Sequence, residues 1–307
     1  MPDTNTTNTS TQISQDLADA VRETAILVDL SMGTWSGERT DRAIGDKVKE
    51  DAGAVGNTGR YLKNLLAGCD TKLREVRAAY AVARTTHYTL TLPWVSDPAA
   101  QRAIGPRLLP NALFDRYMRE MGRLQRTAVA ARDEFLTVYP ALAQQAQSNL
   151  GDLANADEYP TVEELEAAFR LRFDFQPIPD TSAFKGLPEA MLGKLGAALE
   201  RRQLAAIQGA QNAMWSRVRE GVEHLVDRLA EPDTRFKETS IEGVRELITL
   251  LPGFNCADDP RVTEITEDIR NMLDGITAKD IRLDTRLRED VVTKARAIND
   301  RLRSWGL

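Results

Sequence analysis

The side chains that most often carry reaction chemistry are few and scattered in this sequence. Ser36 stands in Trp35-Ser36-Gly37, and a serine nucleophile needs a general base within hydrogen-bond reach. The chain holds only two histidines, His87 and His224, and Ser36 lacks the flanking glycines of a nucleophile elbow. A strand end followed by a turn is the expectation for this tripeptide. His87 falls beside Tyr88 in a strand-like run, and His224 lies between Glu223 and Leu225 in a helical pattern. Each is expected to be a structural or surface histidine. Cys69 and Cys256 are far apart and sit in no Cys/His spacing that frames a zinc site or a disulfide scaffold.

The run from Gly53 through Gly56 and Gly59 to Arg60 superficially resembles a phosphate loop, because glycine lets backbone N–H groups approach an anion closely. No Lys-Ser/Thr follows it and no strand is expected immediately before it, so a flexible linker is the expectation. The acidic pairs Glu163-Glu164 and Asp258-Asp259 stand near the starts of expected helices, where negative charge meets the positive end of the helix dipole. Capping, not metal binding, follows from that position, since no further carboxylates recur at a ligand-like spacing. No catalytic residue, metal site or cofactor is expected.

Basic residues offer the other chemistry. Arg170 and Arg172 share one face of an alternating run and present either a basic surface or a solvated strand face. The C-terminal segment carries eight basic residues, Lys279, Arg282, Arg286, Arg288, Lys294, Arg296, Arg301 and Arg303. Arg282, Arg286, Arg296 and Arg303 are its candidate nucleic-acid contacts. Asp284, Glu289, Asp290 and Asp300 are interleaved with them, which favours a charge-laced helix face. The formal net charge of −6 over 307 residues argues against a generally basic nucleic-acid coat.

These residues need a scaffold, and 42% hydrophobic content provides for at least one good core. No run approaches the roughly 20 apolar residues that cross a bilayer, and the polar N-terminus lacks the basic and apolar regions of a signal peptide. A cytoplasmic location is the expectation. Residues 1–12 read as a disordered tail. Alternation predicts strands over Ile26–Trp35, His87–Trp94 and Phe169–Phe175. Helical spacing predicts helices over Arg60–Arg84, from Leu113 through an interruption or kink at Pro140 to Leu142, and from Pro188 to Glu231. Further helices are expected over Ile241–Leu251, Asp259–Leu273 and Ala278–Trp305, with a loop or frayed helix over Arg42–Gly59 and turns over Ser96–Pro110. The expected fold is α+β and predominantly α-helical, with long helical hairpins and a small three-stranded antiparallel sheet at one end. Because the strands are widely spaced in sequence, residues 13–307 are expected to form a single elongated domain.

Several blocks carry a family resemblance: ILVDLSMGTWSGERTDR at Ile26, YLKNLL at Tyr61, THYTLTLPW at Thr86, GPRLLPNALFDRYM at Gly105 and EYPTVEELEAAFRLRFDFQPIPD at Glu158. Together they resemble an uncharacterised family of phage, prophage and mobile-element proteins, domain of unknown function 3150. The resemblance implies a genetic neighbourhood of MoxR-type AAA+ ATPases, von Willebrand-type domains or recombination proteins, and so a complex subunit or adaptor. Glu38-Arg39-Thr40 replaces the basic stretch associated with that family after Trp-Ser-Gly, which weakens a phosphate-gripping role for this segment.

The expectation that follows is a non-enzymatic protein-interaction factor of a phage or mobile element, whose partner is a protein such as an AAA+ ATPase or a second copy of itself. A nucleic-acid-binding accessory factor in replication or recombination is the first alternative, and a virion or assembly component the second.

Overall fold

Short apolar runs that must be buried on both faces, and long sequences with apolar residues every three or four positions, set the two kinds of element in this chain. The computed structural model describes residues 16–56, 59–96, 105–180, 188–230 and 236–306. The expected tail over residues 1–12 lies outside them. The fold is α+β and mostly helical. Helix α1 (16–24) leads into β1 (Ala25–Gly33), followed by β2 (Glu38–Thr40), α2 (Arg42–Asp51), β3 (Leu62–Asn64), α3 (Thr71–Leu90), β4 (Leu92–Pro93), β5 (Arg107–Pro110) and α4 (Asn111–Leu150). Then come α5 (Val162–Ala168), β6 (Arg170–Gln176), α6 (Glu189–Ala230), α7 (Glu238–Phe254), α8 (Pro260–Leu273), α9 (Ala278–Leu283) and α10 (Thr285–Ser304).

One sheet has the strand order β4-β5-β1-β6, and β2 and β3 form a second. Strand β5 pairs antiparallel with β1, Ala25 opposite Pro110 and Val28 opposite Arg107, and with β4, Leu92 opposite Leu108. Two of the three expected strands are therefore present, at β1 and β6. The third is not. Tyr88 to Leu90 belong to α3, and only Leu92 and Pro93 are extended. The buried residues of α3 are Leu73, Val76, Tyr80, Ala83, His87 and Leu90, at alternating steps of three and four. That helical repeat runs six positions and absorbs the five-residue alternation at its end. The strand that joins the sheet instead is β5, within the stretch expected as turns; all four of its residues are buried, so it shows no alternation.

Other boundaries differ for local reasons. Residues Arg60–Asp70 precede α3 rather than starting it, with β3 in their midst. The glycine-rich region begins as a true helix, α2, because the Asp41 side chain accepts the Ile44 N–H and caps it. Helix α4 runs unbroken through Pro140. Proline withholds a hydrogen bond from the Leu136 carbonyl, and Pro140 lies on the exposed face of the helix, away from the core. The expected helix over Ala278–Trp305 is two helices, since Asp284 is extended (φ −119, ψ 104) and caps α10 by accepting from the Arg286 and Leu287 N–H groups.

The chain divides into two compact units: Met1–Asp29, Tyr88–Tyr117 and Asp174–Leu307 make the first, and Leu30–His87 with Met118–Phe173 the second. In the first unit α6 packs on α7 and α10, α7 on α8, and α8 on α10. Val218, Val222, Leu225, Ile241, Ile265, Ile269, Val291 and Leu302 fill this helical core. In the second unit α3 and α4 contribute Tyr80, Phe135 and Tyr139 to an aromatic cluster with Trp35 and Phe169. Among the described residues no helix is long and apolar enough to cross a membrane.

Candidate functional site

Strand β6 is delivered by a short, doubly capped helix. Thr161 Oγ1 accepts the Glu164 N–H at 3.2 Å while the Glu164 carboxylate accepts the Thr161 N–H at 2.8 Å, a reciprocal capping box that fixes where α5 starts. Glu163-Glu164 thus serves the helix terminus. Phe169 ends α5, buried against the rings of Tyr80 and Phe135 at centroid distances of 6.1 and 5.9 Å. With Phe169 anchored, the period of two turns Leu171 inward and leaves Arg170 and Arg172 exposed. Gly33 of β1 belongs to this arrangement. A Cβ there would stand 2.5 Å from the Ala168 carbonyl oxygen and 3.2 Å from Arg170 Nε, so only glycine lets the two stretches of backbone come this close.

β6 is the outer strand of the sheet among the described elements. The Leu171 carbonyl accepts 2.8 Å from Gln125 Nε2 of α4, so an amide already occupies a backbone acceptor of this strand. A groove of about 540 Å³ runs beside it, lined by Tyr80, Gln125, Val129, Arg132, Glu163, Glu166, Ala167 and residues Phe169–Arg172. Arg132 pairs with Asp133 at 2.7 Å. Arg170 and Arg172 form no ion pair among the described residues.

The remaining sequence candidates are placed as follows. Ser36 Oγ accepts the Glu38 N–H at 3.1 Å and Gly37 follows with φ 71°, a turn before β2. His87 is buried on α3 and His224 is exposed on α6. Gly53, with φ 60°, gives its N–H to the Glu50 carbonyl at 3.0 Å and closes the C-terminus of α2. Arg60 joins Arg42 and Lys49 in a second groove, which Asp41 and Asp46 also line; residues 57 and 58 lie outside the described residues. Asp259 caps α8 and chelates Arg261, whose guanidinium holds the carboxyl below its ordinary range. Asp258 stands at φ 50° in the preceding turn. Burial raises the Cys256 thiol, which disfavours the reactive thiolate.

Of the four C-terminal arginines, two are engaged within the fold. Arg282 donates to the Phe236 carbonyl at 3.0 Å, and Arg303 lies 3.6 Å from Glu223. Arg286 and Arg296 are exposed and form no ion pair among the described residues.

Two charged clusters were not foreseen from sequence. Lys63, only 3% exposed, holds Glu158 at 2.6 Å, Asp41 at 3.2 Å and the Leu153 carbonyl at 2.9 Å. Its neighbour Glu158 raises its pKa, with Asp41 adding to the effect. Arg217 of α6 donates to the carbonyls of Thr91 (2.7 Å), Tyr88 (2.8 Å) and Thr89 (3.2 Å) at the end of α3. Arg107 donates to Thr91 Oγ1 at 2.7 Å with its guanidinium 4.6 Å from the Tyr88 ring centroid. Burial pulls both guanidinium groups down to about 10, and both stay charged at neutral pH. They neutralise the negative end of α3. Their partners are distant in sequence, and no local pattern marks them.

Comparison with protein-family models, with curated proteins and with solved structures returned no match.

Proposed function

We propose that the chain is a non-enzymatic protein-interaction factor that docks a protein partner along β6. The observation that carries this reading is an outer strand beside a groove, with two exposed arginines that form no ion pair among the described residues. An unpaired strand edge is a template for another chain, and exposed cations with no ion pair among the described residues can meet that chain without breaking one. The family resemblance adds a setting: a phage or mobile-element adaptor acting in the bacterial cytoplasm with an AAA+ ATPase complex. Affinity purification from element-bearing cells, with and without nuclease, tests this. A protein partner retained after nuclease and lost in R170E/R172E is expected; loss of every co-purifying protein on nuclease treatment overturns it.

A second reading, as a nucleic-acid accessory factor, is favoured by exposed Arg286 and Arg296 on α10. Removing one arginine that neutralises a phosphate should flatten the slope of log affinity against log salt by about 1. Binding at physiological salt that R286E/R296E abolishes would put this reading first.

A further inference from the structure

Resting on the reading of β6 as a docking edge, we propose that its occupant is an extended peptide segment of a partner, added as a further strand. That segment carries carboxylates at two alternate positions, facing Arg170 and Arg172. A strand laid beside β6 keeps the same period of two, so its residues opposite Arg170 and Arg172 stand on the arginine face, Cβ atoms about 5 Å away. Carboxylates suit those positions because guanidinium groups take them in paired hydrogen bonds. The intervening side chains meet the other face of the groove, where the exposed Val129 and Ala167 offer apolar surface; these positions call for apolar residues.

Two further features narrow the occupant. Gln125 gives an amide N–H to the Leu171 carbonyl at 2.8 Å, the same bond an incoming backbone N–H would make, and a side chain on a helix can swing aside for it. Glu163 and Glu166 line the wall next to Phe169, so a ligand that is negative along its whole length is repelled there. A nucleic-acid backbone is such a ligand, whereas a peptide places its charges singly. The segment is therefore acidic only near Arg170 and Arg172.

The test uses the full chain and labelled seven-residue probe peptides, matching the seven residues of β6. In one, Glu occupies the third and fifth positions and Val the rest; a second has Lys for Glu; a third has a central Pro. Fluorescence anisotropy should show binding of the Glu/Val peptide, weakened about tenfold in R170E/R172E and by the central Pro. The Lys/Val peptide should prefer R170E/R172E, a swap that loss of folding cannot mimic. Hydrogen exchange should slow in β6 on binding. Absence of binding, indifference to the charge reversal, or protection elsewhere than β6 overturns the strand proposal. A nuclease-resistant partner that ignores R170E/R172E would overturn this site while leaving a protein-interaction role at another surface.

Discussion

Arg217 and Arg107 do at the end of α3 what no residue within the helix does: they satisfy carbonyls left over where the helix stops. A hydrogen bond to a charged group contributes about 1.5–3 kcal/mol, and Arg217 makes three. Because burying the guanidinium offsets part of that sum, R217A should cost a net of about 3 kcal/mol in urea unfolding. R217K should recover only part of that, since an ammonium cannot reproduce the planar fork. Lys63 gives a pH signature. Its pKa is raised in the folded state by Glu158 and then Asp41. Its contribution is thus fully present below the ordinary lysine value of 10.5 and fades as pH rises through the raised one. Asp41 has the opposite sign: the Ile44 N–H, and then Lys63, hold it below 3.8. Its contribution is present above that value and is lost as pH falls through the lowered one. Urea midpoints should be flat between about pH 5 and 9 and fall on both sides. K63M should lower the plateau more than K72M, whose lysine is 40% exposed, and should make the alkaline limb shallower without removing it, because Tyr80, Tyr117 and Tyr139, raised by burial, also lose stability there. An unchanged alkaline limb in K63M would remove Lys63 from this role. Neither cluster was legible in the sequence, because Lys63, Glu158, Arg107 and Arg217 meet only through tertiary packing.

At the level of elements, the sequence reveals periodicity well and its interruptions poorly. β1 and β6 stand where alternation placed them, and α4, α6 and α8 where a 3.6-residue repeat did. The alternation at Tyr88–Leu92 misleads because five residues cannot distinguish a strand from the last turn of a helix that began well before it, at Thr71. The strand β5 hides because its four residues are all buried. Asp284 misleads in another way: it reads as one more charge among the basic residues of the C-terminal segment, yet its carboxylate starts α10. D284A should destabilise the chain by about 1 kcal/mol, while D284N and D284S, which retain a capping oxygen, should lose much less. Equal losses in all three would mean that charge rather than capping matters there. The proposed docking edge was half legible. The shared face of Arg170 and Arg172 follows from alternation, but the groove and the outer position of β6 depend on α4, α5 and β1 coming together.

For the whole molecule, the periodicities along the chain indicate a mostly helical α+β protein, and that coarse picture matches the fold. The division into two units depends on packing that composition does not register, for it cuts through elements rather than between them. β1, α3, α4 and β6 each pass from one unit into the other, at Asp29–Leu30, His87–Tyr88, Tyr117–Met118 and Phe173–Asp174. This threading matters while the chain is being made. Synthesis proceeds from the N-terminus, and domains close once their last residue has emerged. The second unit is complete at Phe173, whereas the first draws on stretches up to Asp29 and from Asp174 onward. Ribosome-stalled chains exposing residues up to 173 should already protect α3 and α4 from protease. Residues 16–29, though translated before the second unit, should stay cleavable until the helices that follow Asp174 leave the tunnel. A stretch made ahead of the second unit is then sheltered after it, which leaves it longer within reach of chaperones.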